Sequence, residues 1–373
     1  VMASPVGCSC VMNGAAPVRS IRSTRGNDND RSAGFFARAA VNADNLHVDA
    51  LSNVLQVLRL NGAVFLDAEF TAPWCVVSKS GHAPEGPLAG FEHVVFFHWL
   101  ITGRCKARLK DGGETFEIAA GDLLLMPNDE SHLMGSDLEI SPVAADALVK
   151  PGANNGLLRI DYGGGGEPTR FVCGFLACDK RLSRPVIDSL PGMLRVPFGD
   201  DPAAAWFKNL LQVGTQETAT PRPGSDTVLA KLSELLFVEA LRRYGESMPE
   251  QQKGWLAGLR DRYVGKTLAL MHENPGRAWT VDVLANEVGL SRSALAQRFT
   301  DLIGQAPMQY LTRWRLTVAA QRLRSEPSGL AAIAAQVGYD SEAAFNRAFK
   351  REFGMPPATW RKTLGKPPVA AAE

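Results

Sequence analysis

Two segments near the C-terminal end, residues 280–304 and 329–354, carry side chains that can hydrogen-bond to the edges of DNA bases. In each segment a serine precedes a stretch in which large apolar residues recur at helical spacing. The apolar residues must face inward, so the residues between them form an outward stripe. This stripe contains Arg292, Ser293, Ala296, Gln297 and Thr300 in the first segment and Glu342, Ala343, Asn346, Arg347 and Lys350 in the second.

The side chains of this stripe match known base-reading chemistry. Arginine can form two parallel hydrogen bonds with guanine, and glutamine or asparagine can do the same with adenine. We therefore expect Gln297 and Arg347 to read bases. The other predicted base contacts are Arg292, Ser293, Ala296, Glu342, Ala343 and Asn346. Further cations nearby are expected to bind phosphates or to remain solvated, namely Arg298, Arg313, Arg315, Lys350, Arg351 and Arg361.

The two segments share one internal layout. Each starts with a short amphipathic helix, predicted at residues 281–288 and 330–337, and continues through a Val-Gly turn and a serine into a second helix closed by glycine. A helix-turn-helix needs this arrangement, because glycine permits the sharp turn and serine satisfies free amides at the next helix start. One such segment could equally be an ordinary helical hairpin. Two in register, joined by one predicted helix over residues 307–323, favour DNA binding.

Three strings in this region resemble the AraC/XylS family of transcription regulators. PMQYLTRWRLTVAAQRLR, IAAQVGYDSEAAFNRAFKREFG and PPATWRK are similar to the family's linker helix, second helix-turn-helix and closing segment, within a match over residues 259–362. The resemblance implies that both second helices enter successive major-groove segments on one face of double-stranded DNA. The family most often has arginine where Gln297 stands, so base preference is expected to differ there.

A possible metal ligand, His132, ends the string GDLLLMPNDESH at residues 121–132. This string resembles the second motif of the cupin family, in which glycine, proline and a metal-binding histidine recur at this spacing. Asp129 replaces the motif's usual glycine and Ser136 its usual asparagine.

The first cupin motif is less complete. Gly90 leads to Phe96 and His98 where a cupin enzyme has two histidines, and Thr102 or Gly103 lies where its glutamate belongs. Only two of about four expected ligands are present, fewer than the three that a catalytic metal usually needs. We therefore expect no metal, no cofactor and no catalytic residues. A metal-dependent cupin oxygenase or isomerase fused to a DNA-binding module is the alternative.

Residues 49–197 as a whole resemble the cupin-type sensor domain attached to many AraC/XylS regulators. The resemblance implies a ligand-receptive β-barrel, although the domain could also serve only as a dimerisation body. Candidates for the wall of an effector pocket are Trp74, Phe96, His98 and His132.

The elements that would carry these residues can be read from periodicity. Helical spacing predicts a helix over residues 49–60. Short β-rich runs between turn residues then predict a small barrel or sandwich, namely AVFLDAEF, EHVVFFHWLI, CKARLK, ETFEI, DLLLMP and RFVCGFLACD. A connecting helix over residues 225–244 could pack on this barrel or pair with a second copy through Val228, Leu229, Leu232, Leu235, Leu236 and Val238.

The 373 residues are enough for two domains, and we expect a multidomain α+β protein with a cupin-like β-barrel followed by an all-α double helix-turn-helix domain. Residues 256–366 carry a net charge of +7, so the rest of the chain sums to −6. The predicted boundaries are a disordered tail at 1–45, the sensor at 46–200, a connecting helix and linker at 201–254, the DNA-binding domain at 255–365 and a second tail at 366–373.

The six cysteines form no C-x-x-C ladder, and no apolar run is long enough to cross a bilayer. We expect a cytoplasmic transcription regulator of a bacterium, without catalytic activity and without membrane contact. Its expected partners are an operator in double-stranded DNA, RNA polymerase, a small-molecule effector and a second copy of the chain.

Overall fold

The computed structural model describes residues 49–363 with the exception of 59, 79–92, 153–156, 199–204, 250 and several positions between 207 and 221. The predicted tails, at 1–45 and 366–373, and Gly90 of the first cupin motif lie outside the described residues. None of the helices in the described ranges is both long and apolar enough to span a bilayer.

The N-terminal domain is built from strands. Each of the six predicted β-rich runs overlaps one of them, and the other strands were not predicted. The strands are β1 Asn61–Thr71, β2 Cys75–Ser78, β3 His93–Thr102, β4 Arg104–Leu109, β5 Phe116–Ala119, β6 Asp122–Met126, β7 His132–Gly135, β8 Val143–Ala144, β9 Leu158–Gly163, β10 Pro168–Cys178 and β11 Leu194–Pro197.

These strands form two sheets, in the orders β11-β6-β3-β10-β1-β9 and β5-β4-β7-β2-β8. Side chains of both sheets meet in one apolar cluster, which includes Leu100 and Leu124 from the first sheet and Ala107 and Ile118 from the second. Within the described residues the two sheets share no strand. The domain is therefore a β-sandwich, one of the two forms that the β-rich runs predicted, and its sheets do not close into the expected barrel.

Three helices pack beside the first sheet, namely α1 Ala50–Leu58, α2 Lys180–Ile187 and α3 Ser225–Ser247. Alternate residues of β3, such as Phe97 and Trp99, face this helical layer and belong to the same core as Val54 of α1 and Phe237 of α3.

The connecting helix α3 packs on its own sandwich. Leu232 and Leu236 are buried, and α3 lies against β1. Gly62 of β1 permits this approach, because a Cβ at that position would lie 2.7 Å from the carbonyl oxygen of Ala230. The predicted apolar face is therefore divided. Leu229 is also buried and Val238 is half-buried, whereas Val228 and Leu235 stay exposed, at 38% and 43%.

The C-terminal domain is helical. Its helices are α4 Trp255–Arg260, α5 Arg262–Glu273, α6 Val281–Val288, α7 Arg292–Ile303, α8 Pro307–Ser325, α9 Leu330–Gln336, α10 Glu342–Phe353 and α11 Pro357–Thr363. Helix α1 contacts α5 and α8, and one continuous core runs from the helical side of the sandwich into this domain. The sensor and the DNA-binding helices therefore share buried apolar surface.

Candidate nucleic-acid interface

The turns of the two helix-turn-helix units have the same backbone geometry. Gly289 and Gly338 have φ values of +79° and +82°, a conformation that glycine adopts without steric cost. The next amide then reaches back into the preceding helix, from Leu290 to the Ala285 carbonyl and from Tyr339 to the Ala334 carbonyl, at 2.9 Å in both units. These bonds satisfy carbonyls that a helix end leaves free.

The predicted serine caps start both second helices. The Ser291 hydroxyl accepts a hydrogen bond from the Ala294 amide, and the Ser341 hydroxyl accepts one from the Ala344 amide, at 3.2 Å each. At the other end, Gly304 and Gly354 adopt positive φ and close α7 and α10. The two helices, which we call the recognition helices, are therefore both twelve residues long.

The inward and outward faces of the recognition helices agree with the apolar spacing. Leu295 and Phe299 of α7, and Phe345 and Phe349 of α10, are completely buried. Ala296 and Asn346 are half-buried. The other predicted base contacts are exposed, namely Arg292, Ser293, Gln297, Glu342, Ala343 and Arg347.

The two favoured base readers differ in their surroundings. The Gln297 amide donates a hydrogen bond to the Asp301 carboxylate at 2.9 Å, one helical turn away. Arg347 forms no ion pair with any residue that the structure describes. Its guanidinium needs no release from a protein partner before it contacts a base, whereas Gln297 must exchange one hydrogen bond.

Four of the predicted phosphate contacts are engaged in the absence of DNA. Arg298 pairs with Asp261 at 2.5 Å, and Arg313 pairs with Glu352 at 3.1 Å. Arg361 donates to the carbonyls of Leu323 and Ser328. Only Lys350 and Arg351 of this set are exposed and free of ion pairs within the described ranges.

Arg315, the fourth engaged cation, binds the protein backbone rather than pointing to solvent. Its guanidinium donates to the carbonyls of Pro275 at 2.7 Å, Arg277 at 2.7 Å and Gly338 at 3.2 Å. Burial lowers the pKa of this guanidinium. Arg315 therefore ties the linker helix to the loop that precedes the first unit and to the turn of the second.

In the sensor, His98 and His132 meet between the two sheets. Their Nε2 atoms are 2.9 Å apart, so one ring donates a hydrogen bond and the other accepts it. The Nδ1 of His98 lies 2.9 Å from the Cys173 sulfur, and that of His132 lies 3.0 Å from the Glu130 carbonyl. Burial lowers the pKa of both imidazoles, and for His98 the His132 ring adds to the effect. Both rings are therefore neutral near pH 7.

Trp74 belongs to the same interior cluster as the two histidines, whereas Phe96 lies at its margin. The Trp74 ring stacks on Phe70 at 4.2 Å and is 6.2 Å from Phe171, which in turn lies 5.7 Å from His98. The Trp74 Nε1 is buried and has no hydrogen-bond partner among the described residues. Phe96 is half-buried and packs edge-on against Phe65.

We expect the purified chain to hold no stoichiometric iron, zinc or manganese. An ion between the two histidines would break their mutual hydrogen bond and gain only two protein ligands, where a catalytic site uses about three. Elemental analysis after metal supplementation and gel filtration measures this. One tightly held metal per chain, lost in a His98→Ala/His132→Ala double variant, would contradict the expectation and revive the cupin enzyme alternative.

Three further side chains that no sequence motif marks connect the sensor to the second unit. They are Asp179 and Arg181 at the start of α2 and Arg324 near the end of α8. Their contacts join residues 145 and 172 positions apart, so no local pattern could have revealed them.

Comparisons with known proteins agree with both domains. The model of the Cupin family matches residues 49–246, and that of a helix-turn-helix domain matches residues 284–363. An AraC-like transcription regulator of Streptomyces lividans is 38% identical, over 72% of this chain and 87% of the relative. Another, of Streptomyces antibioticus, is 34% identical, over 84% of this chain and 99% of the relative.

Among solved structures, the DNA-binding domain of AdpA in complex with a target DNA is 27% identical, over 28% of this chain and 92% of that one, with a TM-score of 0.26. The assignment rests on the Cupin match and on the two Streptomyces relatives, which extend over both domains. The chain therefore belongs to the AraC family of transcription regulators, as a sequence-specific DNA-binding protein with an N-terminal cupin domain.

Proposed function

We propose that the chain contacts its operator through both recognition helices at once, with Gln297 and Arg347 as the principal base readers. The supporting observation is that α7 and α10 are built alike, with the same capping serine, closing glycine and buried apolar positions, and with polar stripes exposed. The proposal also includes base contacts by six further residues, namely Arg292, Ser293, Ala296, Glu342, Ala343 and Asn346.

A hydroxyl-radical footprint tests the paired use of the helices. The recognition helices are tied by the nineteen-residue helix α8, so one chain should protect two neighbouring major-groove segments about 34 Å apart on one DNA face. A duplex selected from random DNA by the purified chain serves as the probe. Protection confined to one groove segment per chain would contradict the proposal.

Two arginines of α10 should separate base reading from phosphate binding. Arg347→Ala is expected to weaken specific binding by about 1–3 kcal/mol and to relax preference at one base position, because a bidentate contact is lost. Arg351→Ala, one helical turn on, should weaken binding to all sequences alike and lower the salt slope by about 1. Binding to an operator library at two salt concentrations measures both effects. Unchanged base preference in the Arg347 variant would rule out its role.

We assign the phosphate contacts to Lys350 and Arg351, with Arg298 and Arg313 exchanging their carboxylate partners for phosphates on binding. Arg315 and Arg361 are assigned to holding the backbone of the domain, because their donors already meet main-chain carbonyls. Neutral variants of Arg315 and Arg361 should therefore lower the free energy of unfolding, and they should change the salt slope of DNA binding little.

We infer that a small-molecule effector binds inside the sandwich, near Trp74, His98 and His132. The buried Trp74 Nε1, which has no partner among the described residues, would be satisfied by a ligand with a hydrogen-bond acceptor. Such a ligand should raise the unfolding midpoint of the chain, and Trp74→Phe should reduce that rise while retaining the aromatic ring.

As further parts of the proposal, the regulator acts in the cytoplasm as a homodimer, communicates with RNA polymerase and turns over no substrate. The exposed Val228 and Leu235 lie seven positions apart on α3 and so share one helical face. This face is the proposed dimer contact, in place of Leu232 and Leu236, which the chain's own sheet covers.

A further inference from the structure

The second recognition helix is held at its C-terminal end by a helix of the sensor domain. Asp179, the N-cap of α2, accepts hydrogen bonds from the Arg181 and Leu182 amides at 2.9 and 3.0 Å. The same carboxylate forms an ion pair with Arg324 of the linker helix α8. The side chains of Asp179 and Arg324 are only 5% and 20% exposed, so this pair is shielded from solvent screening.

A second side chain at the start of α2, that of Arg181, reaches the recognition helix itself. The Arg181 guanidinium donates a hydrogen bond to the carbonyl of Phe353, the last residue of α10. A helix leaves its final carbonyls unpaired and carries partial negative charge at that end, so a cation there is favourable. Arg181 and Arg324 also lie over the Trp360 ring, at 5.6 and 5.0 Å from its centroid. The indole of Trp360 donates to the Ala320 carbonyl of α8 at 3.2 Å.

The contact leaves the DNA-facing side of the second unit open. Arg181 meets the C-terminal end of α10, whereas the predicted base contacts Glu342, Ala343 and Arg347 lie in its first half and are exposed. The sensor therefore orients this helix without covering its base-reading residues. Orientation matters because a recognition helix that is loose in the free protein must lose that freedom on binding.

We propose that Asp179 and Arg181 are positioning residues for the second recognition helix, through which the sensor domain sets the affinity for the second of the two operator segments. This rests on the proposed paired use of the helices. It identifies α2 as the element by which a change in the sensor reaches the DNA-binding domain. Because Lys180–Ile187 directly follows β10, whose Cys173 contacts His98, the effector cluster and this contact are joined by one strand.

The variants can be chosen to remove these contacts while retaining the fold of α2. Asp179→Asn retains an efficient N-cap but removes the charge that pairs with Arg324. Arg181→Met retains an unbranched stem beside Trp360 and removes the donor to Phe353. Arg184→Met is the matched control, because Arg184 lies one turn on in the same helix and, among the described residues, forms an ion pair only with Asp188, at 3.2 Å.

The experiment titrates the full chain onto the selected duplex and measures hydroxyl-radical protection of each segment separately. We expect the Asp179→Asn/Arg181→Met variant to raise the apparent Kd of the segment contacted by α10 about tenfold and to change that of the other segment less than twofold. The control should match the unaltered chain at both segments. In the Asp179→Asn background, Arg181→Lys in place of Arg181→Met should recover part of the lost affinity for the segment contacted by α10, since lysine restores a cation at the helix end.

Several outcomes would overturn the inference. These are equal weakening at both segments, no weakening at either, or tighter binding at the second segment. Urea unfolding of each variant measures how far the chain is destabilised, and the two protected segments show its effect, since general destabilisation weakens both segments together whereas lost positioning weakens only the segment contacted by α10. If the unaltered chain protects only a single segment, the proposed paired use of the helices is wrong before any variant is tested. This failure is therefore distinguishable from a failure of the positioning role of Asp179 and Arg181.

Discussion

Gly338→Ala is expected to destabilise the DNA-binding domain by about 3 kcal/mol, with about 1 kcal/mol from placing an L-residue at positive φ and the rest from Arg315. A Cβ at this position would lie 2.8 Å from the Arg315 Nη2 and 2.9 Å from the Gly276 carbonyl oxygen. Both neighbours are fixed, because Arg315 is bound to three carbonyls. The guanidinium must leave at least one of them, and a hydrogen bond to a charged group contributes about 1.5–3 kcal/mol.

Gly289→Ala is the matched control for this prediction. Gly289 occupies the equivalent turn of the first unit with nearly the same φ, but a Cβ there meets no atom within 4 Å. The control variant should therefore lose only the conformational part, about 1 kcal/mol. Urea unfolding of both variants measures the difference. Equal losses at the two glycines would show that the Arg315 contacts contribute nothing to stability.

Acidification should destabilise the same domain through His272. This ring stacks on Trp314 at 3.8 Å, its Nε2 lies 2.8 Å from the Tyr310 hydroxyl, and burial lowers its pKa to about 3. The unfolded chain binds a proton near pH 6.5, whereas the folded chain does not until about pH 3. Between these values the unfolded state holds more protons, so the free energy of unfolding falls as the pH falls, by about 1.4 kcal/mol per unit.

Between pH 7 and pH 4.5 the contribution of His272 amounts to about 2.5 kcal/mol. His98 and His132 act in the same direction, because burial lowers the pKa of each. His272→Phe retains a ring against Trp314 and cannot bind a proton. The loss of stability between pH 7 and pH 4.5 should therefore be about 2.5 kcal/mol smaller in this variant, as measured by urea unfolding. An identical pH dependence in the two proteins would show that His272 takes up a proton as readily in the folded chain as in the unfolded one.

The sequence alone was sufficient for features that depend on neighbours a few positions apart. The helix at Val281–Val288, the serine caps at Ser291 and Ser341 and the closing glycines were all predictable, because caps and turns are made by residues within one helical turn. The inward positions of the recognition helices followed from apolar spacing, and β-rich runs between turn residues located six of the strands. The family was evident from strings in this region.

Only the tertiary structure decided which distant groups meet. The two sheets form a sandwich and do not close into a barrel, and Leu232 and Leu236 are buried on the chain's own sheet. The guanidinium of Arg315 donates to three main-chain carbonyls. The tertiary structure also joined Asp179 to Arg324 across the domains. A side chain's type gives the bonds that it can form. Which partner it receives depends on packing between elements that are far apart in the chain, and no local pattern contains that information.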